Sequence, residues 1–105
     1  MSAQTEIDNN FSDPDYSTLM LATALFISER SLQRRFKAVF GYTFKEALIS
    51  ARLENAKTLL AKGEKVSDVS IACGFNEPSY FSKSFKARFG YTPTQYREMT
   101  EKEEV

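Results

Sequence analysis

Apolar residues recur three and four apart along the whole chain, the spacing that puts them on one face of a helix. Residues 18–26 are expected to form a helix capped by Ser17, with Leu19, Ala22 and Leu25 turned inward. Ile27-Ser28 breaks it, and Ser28 caps the next helix, 29–40, in which Leu32, Phe36 and Val39/Phe40 form one buried stripe. Gly41 stops that helix. Thr43-Phe44-Lys45-Glu46 is a capping box that opens the longest helix, 44 to about 62, with Phe44, Leu48, Ala51, Leu59 and Leu60 on its apolar side and Gly63 after it. Ser67 is expected to start a short helix, 68–73. Pro78 fits the first turn of another, 78–89, with Phe81, Phe85 and Phe89 as its stripe and Gly90 as its stop. Thr92-Pro93-Thr94-Gln95 is a second capping box with Pro in the first turn, opening a helix to about Thr100. Before these lies a turn, Ser12-Asp13-Pro14-Asp15, where Pro fixes φ and the Asp and Ser side chains reach nearby amides.

Part of this pattern occurs twice. Residues 36–43 read FKAVFGYT and residues 85–92 read FKARFGYT, seven of eight identical at an offset of 49. Two copies are too few for a solenoid, which takes about three. The expected architecture is all-α, with two helix–tight turn–helix units, 18–40 and 68–89, joined by one long helix. The chain divides into a frayed segment 1–10 (with at most a short helix at 6–11), a first helix-turn-helix subdomain 11–42, a linker helix 43–63, a second subdomain 64–100 and a disordered acidic tail 101–105.

Composition adds one fact of consequence. The 105 residues carry a formal net charge of zero, but unevenly. Residues 1–27 hold four acids and no base, 28–97 hold 13 Lys/Arg against six Asp/Glu, and 98–105 hold four Glu against one Lys. The duplicated body is therefore basic between acidic ends. A basic face with aromatics behind it is the electrostatic footprint of a phosphate binder. No apolar run approaches the roughly 18 residues that span a bilayer. No leader pattern is visible, and the one cysteine makes no internal disulfide, so a cytoplasmic location is expected.

In a DNA-binding helix-turn-helix the second helix enters the major groove with its N-terminal half at the base edges. With Leu32 and Phe36 buried, the opposite side of 29–40 presents Arg30, Gln33, Arg34 and Lys37. Arg suits the paired acceptors of guanine and Gln suits adenine, while Lys37 lies further along, toward a phosphate. In the second unit the outward set is Ser79, Tyr80, Lys83 and Lys86. The long helix spans about 28 Å, close to the roughly 34 Å of one turn of B-DNA, so one monomer can place both helices in successive major grooves.

These residues carry a resemblance. The runs are Ser28-x3-Leu32-x3-Phe36-Lys37; Arg52-Leu53-x2-Ala56-x2-Leu59-Leu60; Val66-Ser67-x-Val69; Gly74-Phe75-x2-Pro78-Ser79-Tyr80-Phe81-Ser82-x2-Phe85-Lys86-x2-Phe89-Gly90; and Thr92-Pro93-x2-Tyr96-Arg97. Together they resemble the DNA-binding domain of the AraC/XylS family of bacterial transcription regulators, over about residues 11–97. The resemblance implies seven helices in two subdomains, binding to double-stranded promoter DNA and contact with RNA polymerase. It implies base contacts at Arg30, Gln33, Arg34, Ser79, Tyr80 and Lys83, and makes Arg52 a structural basic residue of the linker helix. Backbone contacts are expected from Ser31, Lys37, Thr43, Lys86 and Thr92. Two departures stand out. The chain has Phe26 where the family usually has Gly in the first turn, and a bulky residue disfavours positive φ. The family usually carries a sensory or dimerisation domain upstream, and that domain is expected as a partner missing from this chain.

Other chemistries find little footing. The chain has no histidine, and Cys73 is its one thiol, expected as a small buried hydrophobe, so neither a metal site nor a cofactor is expected. No nucleophile–base pair and no Gly-rich phosphate loop occur, so no enzyme activity is expected. The carboxylates Asp13/Asp15 and Glu103/Glu104 read as solubilising. The alternative to a DNA reader is a helical protein–protein adaptor, which needs an exposed apolar groove; Met20, Leu21 and Ile49 are its candidates.

Overall fold

The computed structural model describes the backbone of residues 3–103 and the side chains of 5–101. Within those bounds there are seven helices and no strand: α1 Ala3–Asn10, α2 Thr18–Ala24, α3 Glu29–Phe40, α4 Phe44–Ala61, α5 Val66–Ala72, α6 Pro78–Phe89 and α7 Pro93–Glu103. The molecule is elongated, 50 × 24 × 23 Å.

Two hydrophobic cores sit at the two ends of α4. The first holds Ile7, Tyr16, Leu21, Ala22, Leu32, Phe36, Phe44 and Leu48. The second holds Leu53, Ala56, Leu60, Val69, Cys73, Phe75, Phe81 and Phe85. At about 100° per residue, the five-residue step from Leu48 to Leu53 turns α4 by roughly 140°, so its two halves bury different sides. That split explains why a single apolar face for this helix missed Leu53 and Ala56.

Side-chain caps start α3, α4 and α7, whereas α6 starts at Pro78 without one. Ser28 Oγ accepts from the Ser31 amide at 3.1 Å at the start of α3, and Thr43 Oγ1 accepts from the Glu46 amide at 3.1 Å at the start of α4. The second capping box closes in both directions: Gln95 N donates to Thr92 Oγ1 at 3.1 Å and Thr92 N donates to Gln95 Oε1 at 2.8 Å. The repeated FGYT runs end α3 and α6 alike, with Gly41 and Gly90 in the left-handed region.

Several sequence expectations are corrected. Residues 3–10 are not frayed: α1 is a helix whose Ile7 is buried in the first core, held by packing against α4 rather than by its own weak apolar pattern. The tail is helical to Glu103, with Arg97 and Glu101 paired one turn apart at 3.6 Å; the expectations for residues 1–2 and 104–105 fall outside the described residues. In α2 Ala22 is buried as expected, but its buried companion is Leu21, while Leu19 is exposed and Leu25 only partly covered, and the helix ends at Ala24. Val39 and Phe40 are exposed, because α3 reaches the core only through Leu32 and Phe36. Finally, α5 starts at Val66, with Lys65 at its N-cap and no side-chain cap, so Ser67 lies inside it.

Candidate nucleic-acid interface

Burying Leu32 and Phe36 leaves the opposite side of α3 to solvent, and Arg30, Gln33, Arg34 and Lys37 are all exposed there. Ser31 is half-buried, with its amide tied to the Ser28 cap. Arg35 is a further exposed base on this helix, which the one-face reading passed over. On α6, burial of Phe81 and Phe85 leaves Ser79, Tyr80, Lys83 and Lys86 exposed. The Tyr80 ring leans on Phe75, with centroids 6.2 Å apart. That packing restrains a ring that is otherwise open to solvent, an arrangement suited to an amphipathic contact.

Thr43 and Thr92 each use the hydroxyl oxygen as a cap acceptor. What remains to each is the hydroxyl proton, which is the part a phosphate oxygen accepts. The N-terminal half of α4 and the outward side of α6 enclose an open cleft of about 730 Å³. It brings Thr43 and Tyr80, expected in separate units, to one place together with Ser84, Arg88 and Lys45. Lys45, which the sequence reading did not single out, lines the same cleft two residues after the Thr43 cap.

Beneath this surface Arg52 joins the parts. It is 7% exposed, and it donates from Nε to the Phe11 carbonyl at 2.8 Å and from Nη2 to the Asp13 carbonyl at 2.9 Å. Burial pulls its guanidinium below the ordinary arginine range, against the opposing pull of Asp13 and Tyr80. Arg52 also lines a pocket with Gly74, Phe75 and Tyr80, at the entry to α6. The role implied for it, a structural base of the linker, agrees with this placement.

Among the described residues no cluster of acids and thiols is arranged for a metal ion, and no helix is long and apolar enough to cross a membrane. Cys73 is buried in the second core.

Comparison with known proteins places the chain in a family. A family model described as a helix-turn-helix domain matches residues 21–99. The chain is 40% identical, over 86 residues and 81% of its length, to the HTH-type transcriptional regulator CdhR of Pseudomonas aeruginosa, of which it covers 26%. Its fold is similar to that of a transcriptional regulator with an AraC-type DNA-binding domain from Chromobacterium violaceum, with TM-score 0.84, 28% identity and coverage of 93% of this chain and 88% of that one. It is likewise similar to the DNA-binding domain of the global transcriptional factor AdpA, solved in complex with a target DNA, with TM-score 0.83, 25% identity and coverage of 94% and 93%. The chain spans about a quarter of the length of CdhR. With most of its residues matched by the family model, and with two basic-faced helix-turn-helix units on one linker helix, the chain belongs to the helix-turn-helix family of AraC-type DNA-binding domains.

Proposed function

We propose that this domain reads promoter DNA as one rigid unit, with α3 and α6 in successive major grooves of a single duplex. The observation that carries this reading is the pair of exposed polar faces on α3 and α6, each backed by its own core on α4, an 18-residue helix about 27 Å long. Arg30, Gln33 and Arg34 read bases in one groove, and Ser79, Tyr80 and Lys83 in the other. Ser31, Lys37, Thr43, Lys86 and Thr92 hold phosphates, and Lys45 joins them from the cleft. Residues 11–42 and 64–100 act as the two reading units, and 43–63 sets their separation. The α3 face, with two Arg and a Gln, supplies most of the sequence preference.

The domain works in the cytoplasm, without catalysis of its own, and passes its effect to RNA polymerase. A sensory or dimerisation domain, joined to it or partnering it, sets when it acts; the greater length of CdhR supports this. The adaptor reading loses one of its three residues, since Leu21 is fully buried in the first core.

Hydroxyl-radical footprinting of a bound duplex tests the geometry. Two protected patches on one face, about 10 bp apart, are expected. A single patch on a saturated duplex contradicts simultaneous engagement.

A further inference from the structure

The repeated FKA-x-FGYT run builds the same aromatic cluster twice, and the second copy shows what completes it. In that copy Tyr91 stacks on Tyr96 of α7, with centroids 5.4 Å apart and planes 9° apart. Lys57 Nζ lies 4.7 Å from the Phe89 ring centroid and 5.5 Å from that of Tyr96. A ring and a cation from the chain itself therefore cover the cluster, and Phe89, Tyr91 and Tyr96 are all half-buried.

In the first copy the cluster has the same internal contacts. Phe36 lies 4.5 Å from Phe40 and 6.0 Å from Tyr42. Among the described residues no ring or lysine covers it: 49 residues before Tyr96 stands Ala47, and where the second copy has a lysine the neighbouring helix α1 brings Asp8. Phe40 and Tyr42 are consequently 46% and 43% exposed. Beside Tyr42 and Ala47 lies a groove of about 640 Å³ whose rim carries the carboxylates of Asp8, Glu46 and Glu54. Arg88 also lines the groove and pairs with Glu54 at 3.3 Å. Among the described residues that line it, three are acidic and one is basic, a balance opposite to that of the faces of α3 and α6.

We propose that this groove docks a segment of a separate partner protein that carries a Lys or Arg beside an aromatic side chain. The ring takes the place that Tyr96 holds in the second unit, stacking on Tyr42. The cation takes the place of Lys57, over the exposed rings and among the three carboxylates. The proposal does not depend on which bases are read: none of the residues assigned to bases or phosphates lines the groove, although Glu46, Ser50 and Arg88 line both it and the cleft beside α6.

The test titrates the isotope-labelled chain with two short peptides of matched aromatic content, one alternating Lys with Tyr and one alternating Glu with Tyr, following amide shifts. The Lys/Tyr peptide is expected to shift Tyr42, Ala47 and Ala51 saturably, and the Glu/Tyr peptide is expected to leave them in place. Tyr42→Ala and Asp8→Lys are each expected to weaken the Lys/Tyr peptide at least fivefold while leaving duplex affinity within twofold. Ala47→Tyr, which restores the ring from within, is expected to do the same where it folds. Shifts confined to other surfaces, equal response to both peptides, or wild-type binding by Tyr42→Ala and Asp8→Lys overturns the proposal. Shifts at these residues that grow with protein concentration alone assign the groove to a second copy of the chain, and overturn it too.

Discussion

Arg52 donates from Nε to the carbonyl oxygen of Phe11, 41 residues away in sequence, at 2.8 Å. This bond ties the middle of α4 to the loop that leads from α1 into the first helix-turn-helix unit. The second bond, to the Asp13 carbonyl, uses the fork geometry that only a guanidinium has. Arg52→Ala leaves two carbonyls without their donor, and the expected loss is on the order of 3 kcal/mol in urea unfolding, since bonds to charged groups contribute about 1.5–3 each. Arg52→Lys is expected to recover less than half of that loss.

Gly74 and Phe26 occupy matching places in the two turns, and both have positive φ, +86° and +59°. Their surroundings differ. A Cβ on Gly74 meets the Phe11 carbonyl oxygen at 2.5 Å and Arg52 Nε at 3.0 Å, whereas the Phe26 side chain is 95% exposed. Gly74→Ala combines left-handed strain of about 1–2 kcal/mol with a backbone clash, so thermal unfolding is expected to show a loss of more than about 2 kcal/mol. Phe26→Gly relieves the same strain and removes only a ring that stands in solvent. A gain of about 0.5 kcal/mol is expected after the added freedom of the unfolded glycine.

The two proposed classes of DNA contact are expected to separate under salt. Arg30→Ala and Arg34→Ala are each expected to lose about 1–3 kcal/mol on the preferred duplex, with relaxed preference at one base pair. Lys37→Ala and Lys86→Ala are expected to weaken all duplexes alike, each lowering the slope of log affinity against log salt by about 0.9. Fluorescence anisotropy across a salt series measures both.

Burial, aided by Glu64, raises the Cys73 thiol from 9.0 to about 11. Between those values the unfolded chain has lost a proton that the folded chain retains, so stability present below pH 9 falls as pH rises toward 11. The expected loss from this group is about 2–3 kcal/mol. Urea unfolding at pH 8, 9 and 10 is expected to show a shallower decline for Cys73→Ala than for the parent chain, in which Tyr16 and other groups still titrate.

The local rules were legible in the sequence wherever one residue type has one cause. Ser28, Thr43 and the Thr92/Gln95 box cap the helices as their chemistry requires. Leu32, Phe36, Phe81 and Phe85 are buried as their spacing requires, and this turns the basic residues outward. Where an element serves two partners, the pattern blurs. The two-sided α4 hid Leu53 and Ala56, and α1 has little apolar signal beyond Ile7 because α4 supplies the rest of its support. The exposure of Phe40 and Tyr42 was also hidden, since in sequence they match Phe89 and Tyr91, which are partly covered in the second unit. Only the packing of α7 shows that one copy has a cover and the other does not. The cleft that unites Thr43, Lys45 and Tyr80 depends on how the units are set about α4, which no local pattern encodes.

The central claim is that one chain reads two grooves at a fixed spacing. Selection of this domain against a randomised duplex pool, with a salt titration of the enriched site, tests it most directly. The expected result is two conserved blocks about 10 bp apart, with the Arg30→Ala, Arg34→Ala variant relaxing one block and the Ser79→Ala, Lys83→Ala variant the other. Enrichment of a single block, unaffected by substitutions on α6, contradicts it.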